Sequence, residues 1–138
     1  MSVRTLSLLT LLSALSMVAC QTAPQANAPG GAGGLVLNDL MTSDLEGVEG
    51  KEVVVSHVTI APNTTLPKHW HPGEEFAYVI DGKVTLWQKG KRNVVGKKGD
   101  AIKVPFKQIH TATTGEEGVT LMVFRVHEKG EPQRVLVE

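Results

Sequence analysis

Residues 63–82 read NTTLPKHWHPGEEFAYVIDG and carry the strongest structural signal in the chain. His69 and His71 are two positions apart, so on a β-strand both imidazoles point to the same face. A Pro-Gly pair follows directly and predicts a turn that brings the carboxylate of Glu75 back toward the imidazoles. This stretch therefore places two imidazoles and a carboxylate close together.

A third candidate ligand, His110, opens another β-prone run after Pro105. Three imidazoles and one carboxylate form a mixed nitrogen and oxygen donor set, which suits divalent Fe, Mn, Ni, Co, Cu or Zn. A His-x-His pair in a strand is a weak signal by itself, because paired histidines also occur on solvated faces. The identity of the metal stays open at this point.

The rest of the sequence after residue 34 has an all-β pattern. Short runs rich in Val, Ile and Thr alternate with Gly, Pro, Asn and Asp. Asp81-Gly82 predicts a two-residue hairpin turn, because both positions of such a turn need φ > 0. Many short strands indicate a sandwich or a barrel. Strands are predicted near 35–40, 52–61, 67–71, 75–80, 83–88, 92–95, 101–104, 109–113, 119–127 and 134–137.

Two of the predicted strands are apolar on both faces. Phe76 and Tyr78 point to one face and Ala77 and Val79 to the other, and residues 121–124, LMVF, fill both faces. A strand at the surface of a monomeric barrel should alternate apolar and polar residues, so something is expected to cover the outside. We favour a second copy of the chain, which makes a homodimer, over a terminal strand or loop of the same chain.

Composition limits the function classes. The chain has 138 residues, with 14 Lys and Arg against 14 Asp and Glu, so its formal net charge is zero. Nucleic-acid binding is not expected, because it needs a clustered basic excess. The only cysteine is Cys20, which excludes a disulfide within the chain.

The N-terminus has the pattern of an export signal. Arg4 precedes TLSLLTLLSALSMVA, residues 5–19, which has no ionisable side chain and is too short to span a bilayer comfortably. The sequence Met17-Val-Ala-Cys20 resembles the lipobox of bacterial lipoproteins, with Met17 where Leu is usual. The resemblance implies cleavage of a signal peptide over 1–19 and a lipid anchor on Cys20, with an ordinary secretory signal as the alternative.

These features predict three segments. The signal peptide covers residues 1–19, the lipidated Cys20 and a flexible linker rich in Ala, Gly, Pro and Gln cover 20–34, and the folded domain covers 35–138. The lipoprotein resemblance implies export and anchoring in a bacterial membrane. For a Gram-negative organism, Gln21 after the cysteine favours the periplasmic face of the outer membrane.

The domain resembles the cupin superfamily, which is marked by two motifs. The first motif is G, five residues, HxH, three or four residues, E, six residues, G; the second is G, five residues, P, one residue, G, two residues, H, three residues, N. Three positions depart from them: Asn63 and Lys107 replace glycines, and Thr114 replaces Asn. Asn tolerates φ > 0, whereas Lys107 must find another backbone geometry or be strained. The matching residues are Asn63, His69, His71, Glu75 and Gly82 in the first motif, and Gly99, Pro105, Lys107, His110 and Thr114 in the second.

The resemblance, which is to small single-domain cupins of type 2 similar to quercetin dioxygenases, implies a double-stranded β-helix, or jelly-roll barrel. It implies a metal held inside the barrel by His69, His71, Glu75 and His110, with open positions for water or substrate. Because neutral imidazole is the binding form, metal affinity should weaken below about pH 6.

The function implied is a metal-binding cupin lipoprotein that acts on a small oxygen-bearing organic molecule. The leading interpretation is a metal-dependent dioxygenase, with Glu75 as ligand and catalytic base. The alternative is a non-enzymatic, membrane-anchored module that binds or senses a small ligand or the metal. His57 and His127 match neither motif and are expected to be ordinary surface or partly buried histidines.

Overall fold

The structure is a computed structural model that describes residues 33–138. The signal peptide predicted over 1–19, the lipidated Cys20 and the linker as far as residue 32 lie outside the described residues. Within 33–138, no helix is long and apolar enough to cross a membrane.

The described residues are all-β and contain no helix, so the predicted fold class is confirmed. Each predicted β run overlaps with a strand, although several runs extend past the observed strand ends. The strands are β1 (Leu35–Asp44), β2 (Lys51–Ile60), β3 (His69–Trp70), β4 (Gly73–Gln88), β5 (Val94–Lys97), β6 (Ala101–Val104), β7 (His110–Glu128) and β8 (Val135–Leu136).

Two long strands, β4 and β7, form the centre of the sheet. They pair antiparallel along nearly their whole length, from Gly73 opposite His127 to Gln88 opposite His110. The first half of β4 also pairs with β6, and its second half pairs with β5. On the other side of β7, the second half pairs with β2 and the first residue pairs with β3. The sheet therefore curls into two facing halves that share the same two strands.

The space between the two halves is filled by aliphatic side chains, as alternation along the strands requires. The fully buried cluster is built mainly of valines, which suits a protein with few aromatic residues. This core lies on one side of the three histidines described below. Its members are Val58, Ile60, Leu66, Ala77, Val79, Val84, Val119, Leu121 and Val123.

The hairpin predicted at Asp81-Gly82 is wrong, because β4 continues through it. Asp81 and Gly82 are paired with Thr120 and Val119 of β7, and the register shifts on either side of them. Only Gly82 has a positive φ, of 77°, whereas a tight hairpin would need one at both positions. A Cβ at Gly82 would lie 2.3 Å from the carbonyl oxygen of Gly118. The glycine therefore bends β4 against β7 instead of reversing the chain.

The two substituted glycine positions of the cupin motifs keep a left-handed backbone. Asn63 and Lys107 are the non-glycine residues with positive φ among the described residues, at 52° and 54°. The loop at Asn63 is held by β7, since the Asn63 backbone N–H donates to Gly115 and Thr114 Oγ1 donates to the carbonyl of Ala61. For Lys107 the sequence leaves either another backbone geometry or strain, and the residue is strained, because a non-glycine side chain does not favour the left-handed conformation.

An apolar strip lies on the outer face of the sheet. Phe76, Tyr78 and Phe124 point outward and are 39%, 50% and 45% exposed, while Ala77 and Val79 are buried inside. Both faces of β4 and β7 are therefore apolar, as the sequence indicates. The register forms a continuous outer row of Met41, Val55, Phe124 and Phe76 across four strands.

Candidate metal centre

Three histidines meet at one end of the core. His69 lies in β3 directly opposite His110, the first residue of β7, and His71 follows β3 on the same face as His69. Their ring centroids are 4.3–5.1 Å apart, and the three residues are 6%, 3% and 3% exposed. One ring nitrogen of each lies within 4.8 Å of those of the other two. The spacing of two residues in one strand and the pairing with a distant strand together build the cluster.

Each of these imidazoles is fixed by a backbone carbonyl. The Nδ1 atoms of His69, His71 and His110 lie 2.8, 2.6 and 2.9 Å from the carbonyl oxygens of Pro67, Gln133 and Gln108. A carbonyl only accepts hydrogen bonds, so each Nδ1 carries a proton and donates it. In the neutral ring the unprotonated nitrogen is then Nε2, the atom with a lone pair for a metal.

Burial keeps two of the rings neutral. Desolvation, with the neighbouring His110, lowers the pKa of His69 to about 4, and desolvation also lowers the pKa of His110. Both imidazoles are therefore in their metal-binding form at neutral pH.

Glu75 stands beside the cluster and is held by an arginine. Its Oε2 atom is 3.1 Å from Nε2 of His71 and accepts a hydrogen bond of 2.8 Å from Nε of Arg125. Burial alone would raise the pKa of the Glu75 carboxyl, but the Arg125 guanidinium holds it well below its usual range. Glu75 is therefore ionised, although it is not one of the three side chains whose ligand atoms lie within 4.8 Å of one another.

The donor set fits a divalent metal ion. The Nε2 atom of His71 is buried and has no hydrogen-bond partner among the described residues, although Glu75 Oε2 is nearby. In the neutral form of His71, Nδ1 carries the ring proton, so Nε2 and Oε2 would face each other as two acceptors. A cation between them would remove this repulsion and satisfy the orphaned nitrogen. Imidazole and carboxylate donors are typical ligands of first-row transition metals.

Sequence reasoning missed two residues of this centre. Arg125 is 5% exposed and pairs with Glu75 across β4 and β7. Gln133 accepts from His71 through its backbone carbonyl and from Arg125 Nη1 (3.4 Å) through its side-chain oxygen, while its amide donates to Asp39 (2.7 Å). The signal for Arg125 is a single charge in the apolar run LMVFRV. Gln133 has no comparable signal, because its role depends on a distant contact.

The turn that contains Lys107 also supports the histidines. The backbone N–H of Lys107 donates to the carbonyl of His71 at 3.2 Å, and the Gln108 carbonyl receives the Nδ1 proton of His110. The left-handed conformation of Lys107 therefore serves the placement of two of the three imidazoles.

The two remaining histidines lie outside the cluster. His57 is half-buried on the outer face of β2. His127 is completely buried, with Nε2 3.2 Å from the carbonyl oxygen of Pro132 and Nδ1 3.5 Å from Glu52. The expectation that His127 is at most partly buried is wrong, because it points inward from β7 where the C-terminal segment covers it.

A cavity of about 80 Å³ opens beside the three histidines. Its walls are mostly aliphatic, and its polar end contains Glu75, Arg125 and Arg134 in addition to the imidazoles. The arrangement can therefore expose a bound metal to a small molecule inside the barrel.

The comparisons with known proteins identify one family. The family described as "Cupin domain" (Cupin_2) matches residues 56–125, which is half of the chain and includes all three histidines and Glu75. Comparison with curated proteins by sequence gives no match.

Solved structures share the fold at low sequence identity. The chain is similar to the DMSP lyase DddQ from Ruegeria pomeroyi DSS-3, with a TM-score of 0.64 and 19% identity over 75% of this chain and 52% of that one. It is similar to a cupin-like protein from Thermotoga maritima MSB8, with a TM-score of 0.61 and 22% identity over 77% of each chain. The polyketide cyclase RemF from Streptomyces resistomycificus gives a TM-score of 0.60 and 24% identity, over 78% of this chain and 75% of that one. The chain spans about half the length of the lyase, and identities this low show the fold alone.

Proposed function

This chain belongs to the cupin domain family, and on that premise we propose that it binds a divalent transition metal ion and presents the ion to a small oxygen-bearing organic molecule. His69, His71 and His110 would hold the ion, with Glu75 as the fourth ligand. The observation that carries the proposal is the set of three buried imidazoles, each of which donates a hydrogen bond from Nδ1 to a backbone carbonyl. This arrangement leaves the three Nε2 lone pairs free.

The side chains around the metal have separate tasks in this proposal. The metal supplies a Lewis-acidic centre that polarises an oxygen atom of the bound molecule. Glu75 is ionised, so it accepts a proton and does not donate one. Because Arg125 binds Oε2 of Glu75, Oε1 is the oxygen left to accept a proton. The remaining walls of the cavity are mostly aliphatic.

Elemental analysis tests metal binding directly. The full chain, purified in detergent and then dialysed against each candidate metal, should retain a stoichiometric amount of at least one of them. His69→Ala should remove this binding, whereas His57→Ala, at a histidine outside the cluster, should leave it unchanged. Absence of any bound transition metal after reconstitution would overturn the proposal.

Within this function we propose metal-dependent dioxygenase activity of the quercetin-dioxygenase-like kind, with a non-enzymatic binding module as the rival. The fold itself decides little here, since two of the similar structures are named a lyase and a cyclase. Oxygen consumption by the metal-loaded chain with flavonols, thiols, keto acids and catechols separates the two. Oxygen uptake by the wild type that is absent in Glu75→Gln supports the dioxygenase. Binding without uptake for every compound supports the binding module.

We also propose that the protein is an exported lipoprotein anchored through Cys20. The support is the apolar segment that ends at the only cysteine of the chain. Metabolic labelling with a radioactive fatty acid in a bacterial host should label the wild type and not Cys20→Ser. Equal labelling of both proteins would contradict the proposal.

The exposed apolar strip supports a homodimer. Phe76 and Phe124 are paired neighbours on the outer face and would be covered by a second copy. Sedimentation should show a dimer that Phe124→Glu converts to a monomer. A wild-type protein that remains monomeric at micromolar concentration would contradict this assembly.

A further inference from the structure

The cavity beside the histidines has room for a small molecule only. Pockets that bind drug-sized ligands measure roughly 300–1,000 Å³, whereas this cavity measures about 80 Å³. Its walls come from both halves of the sheet and include Leu37, Ile60, Leu66 and Leu86. The body of the occupant must therefore be short and apolar.

The charges that line the cavity do not cancel. The negative charge of Glu75 is paired with the positive charge of Arg125 at 2.8 Å. Arg134 is a further cation in the lining, and its guanidinium makes no hydrogen bond or ion pair with the rest of residues 33–138. One carboxylate therefore accompanies two guanidinium groups in the lining, and the positive charge of Arg134 is left without a partner. A divalent metal would add further positive charge.

An excess of positive charge inside an aliphatic cavity is unfavourable until an anion enters, because the low dielectric there screens poorly. Arg134 is half-buried and lines the cavity, so it lies between the cavity and solvent. A guanidinium binds a carboxylate with two parallel hydrogen bonds and is well suited to fix its orientation.

We propose that the ligand of this cavity is a short aliphatic carboxylate, whose carboxylate group is bound by Arg134 and whose apolar chain lies against the aliphatic walls. This inference rests on the proposed function, because the same cavity contains the metal centre. Arg134 acts as the residue that determines specificity for an anion. Arg125 is not assigned this role, because its Nε is bound to the Glu75 carboxylate and its Nη1 to Gln133.

Calorimetry with butyrate and butyramide tests the charge requirement. The two probes have nearly the same size and shape and differ in charge, so the metal-loaded full chain should bind butyrate at least tenfold more tightly. Arg134→Gln should weaken butyrate binding by tenfold or more and leave butyramide unchanged, while Arg134→Lys should retain part of the preference. Arg92→Gln is the matched control, since Arg92 is exposed and does not line the cavity.

Failure of this inference is distinguishable from failure of the proposed function. Metal binding by Arg134→Gln is measured first, and it should equal that of the wild type. A wild type that binds metal but binds both probes equally would overturn the carboxylate assignment alone. Unchanged butyrate affinity in Arg134→Gln would overturn the role of Arg134, and tighter binding of inorganic phosphate than of butyrate would overturn the aliphatic ligand class.

Discussion

The ion pair beneath the candidate metal centre gives the sharpest stability prediction. Arg125 is 5% exposed, the Glu75 side chain is 13% exposed, and their atoms are 2.8 Å apart. Replacing the arginine in Arg125→Met keeps an unbranched apolar chain but leaves a buried carboxylate without its cation. Removal of one partner of a buried pair costs roughly 3–5 kcal/mol. We expect a loss of this size at pH 7, because little water reaches the carboxylate.

The sign of the pH dependence follows from Glu75. In the wild type its pKa lies well below the ordinary value of 4.5, so its stabilising contribution is present above pH 4.5 and is lost as pH falls further. In Arg125→Met, burial without the guanidinium raises this pKa, so the carboxylate destabilises the fold as pH rises above 4.5. The difference between the two proteins should therefore grow from pH 4.5 to pH 7.

Urea unfolding of the metal-free chain measures these differences. A double-mutant cycle with Glu75→Gln isolates the pair: Glu75→Gln/Arg125→Met should be more stable at pH 7 than Arg125→Met alone. Arg92→Met, at an exposed arginine, should change the free energy of unfolding by less than about 0.5 kcal/mol. A saturating divalent metal should reduce the loss in Arg125→Met, since it replaces the missing positive charge. A loss below about 1 kcal/mol at pH 7, or additive effects in the cycle, would refute the reasoning.

Three further predictions concern the backbone and the histidines. Lys107→Gly removes about 1–2 kcal/mol of strain from the left-handed backbone but adds conformational freedom to the unfolded chain. Urea unfolding should therefore show a gain in stability of up to about 1 kcal/mol, and a lower stability would contradict the strain. Gly82→Ala puts a Cβ 2.3 Å from the Gly118 carbonyl at a φ of 77°, so its thermal midpoint should fall by several degrees, and an unchanged midpoint would contradict the packed bend. The free energy of unfolding of the metal-free protein should fall by up to about 3 kcal/mol as pH falls from 6.5 to 4. In the unfolded chain His69 binds a proton near pH 6.5, whereas in the folded chain it does so only near pH 4. This pH dependence should be weaker in His69→Gln.

The protein itself fixes the orientation of the side chains that would hold an ion in the candidate metal centre. Three carbonyls orient the imidazoles of His69, His71 and His110, and Gln133 connects this arrangement to Arg125. Such pre-orientation lowers the entropy cost of binding a metal. The C-terminal segment is therefore part of the centre, although its sequence contains none of the proposed ligands.

The sequence by itself determined the strands and the grouping of the histidines. Alternation of apolar residues is a local property, and a period of two residues places His69 and His71 on one face whatever the rest of the chain does. The cupin motifs added His110 and Glu75, and the left-handed backbone at Asn63 and Lys107 shows that the motif geometry survives the loss of its glycines.

Only the tertiary structure decided how distant segments face each other. The pairing of β4 with β7 carries β4 through Asp81-Gly82, where the local signal alone predicts a reversal. The same pairing places Arg125 opposite Glu75, and the C-terminal segment covers His127. The pairing of β4 with β7 depends on register between residues that are far apart along the chain, such as Glu75 and Arg125, which are 50 positions apart. Local propensity does not encode that register, because it is set by which faces can be buried together in the curled sheet.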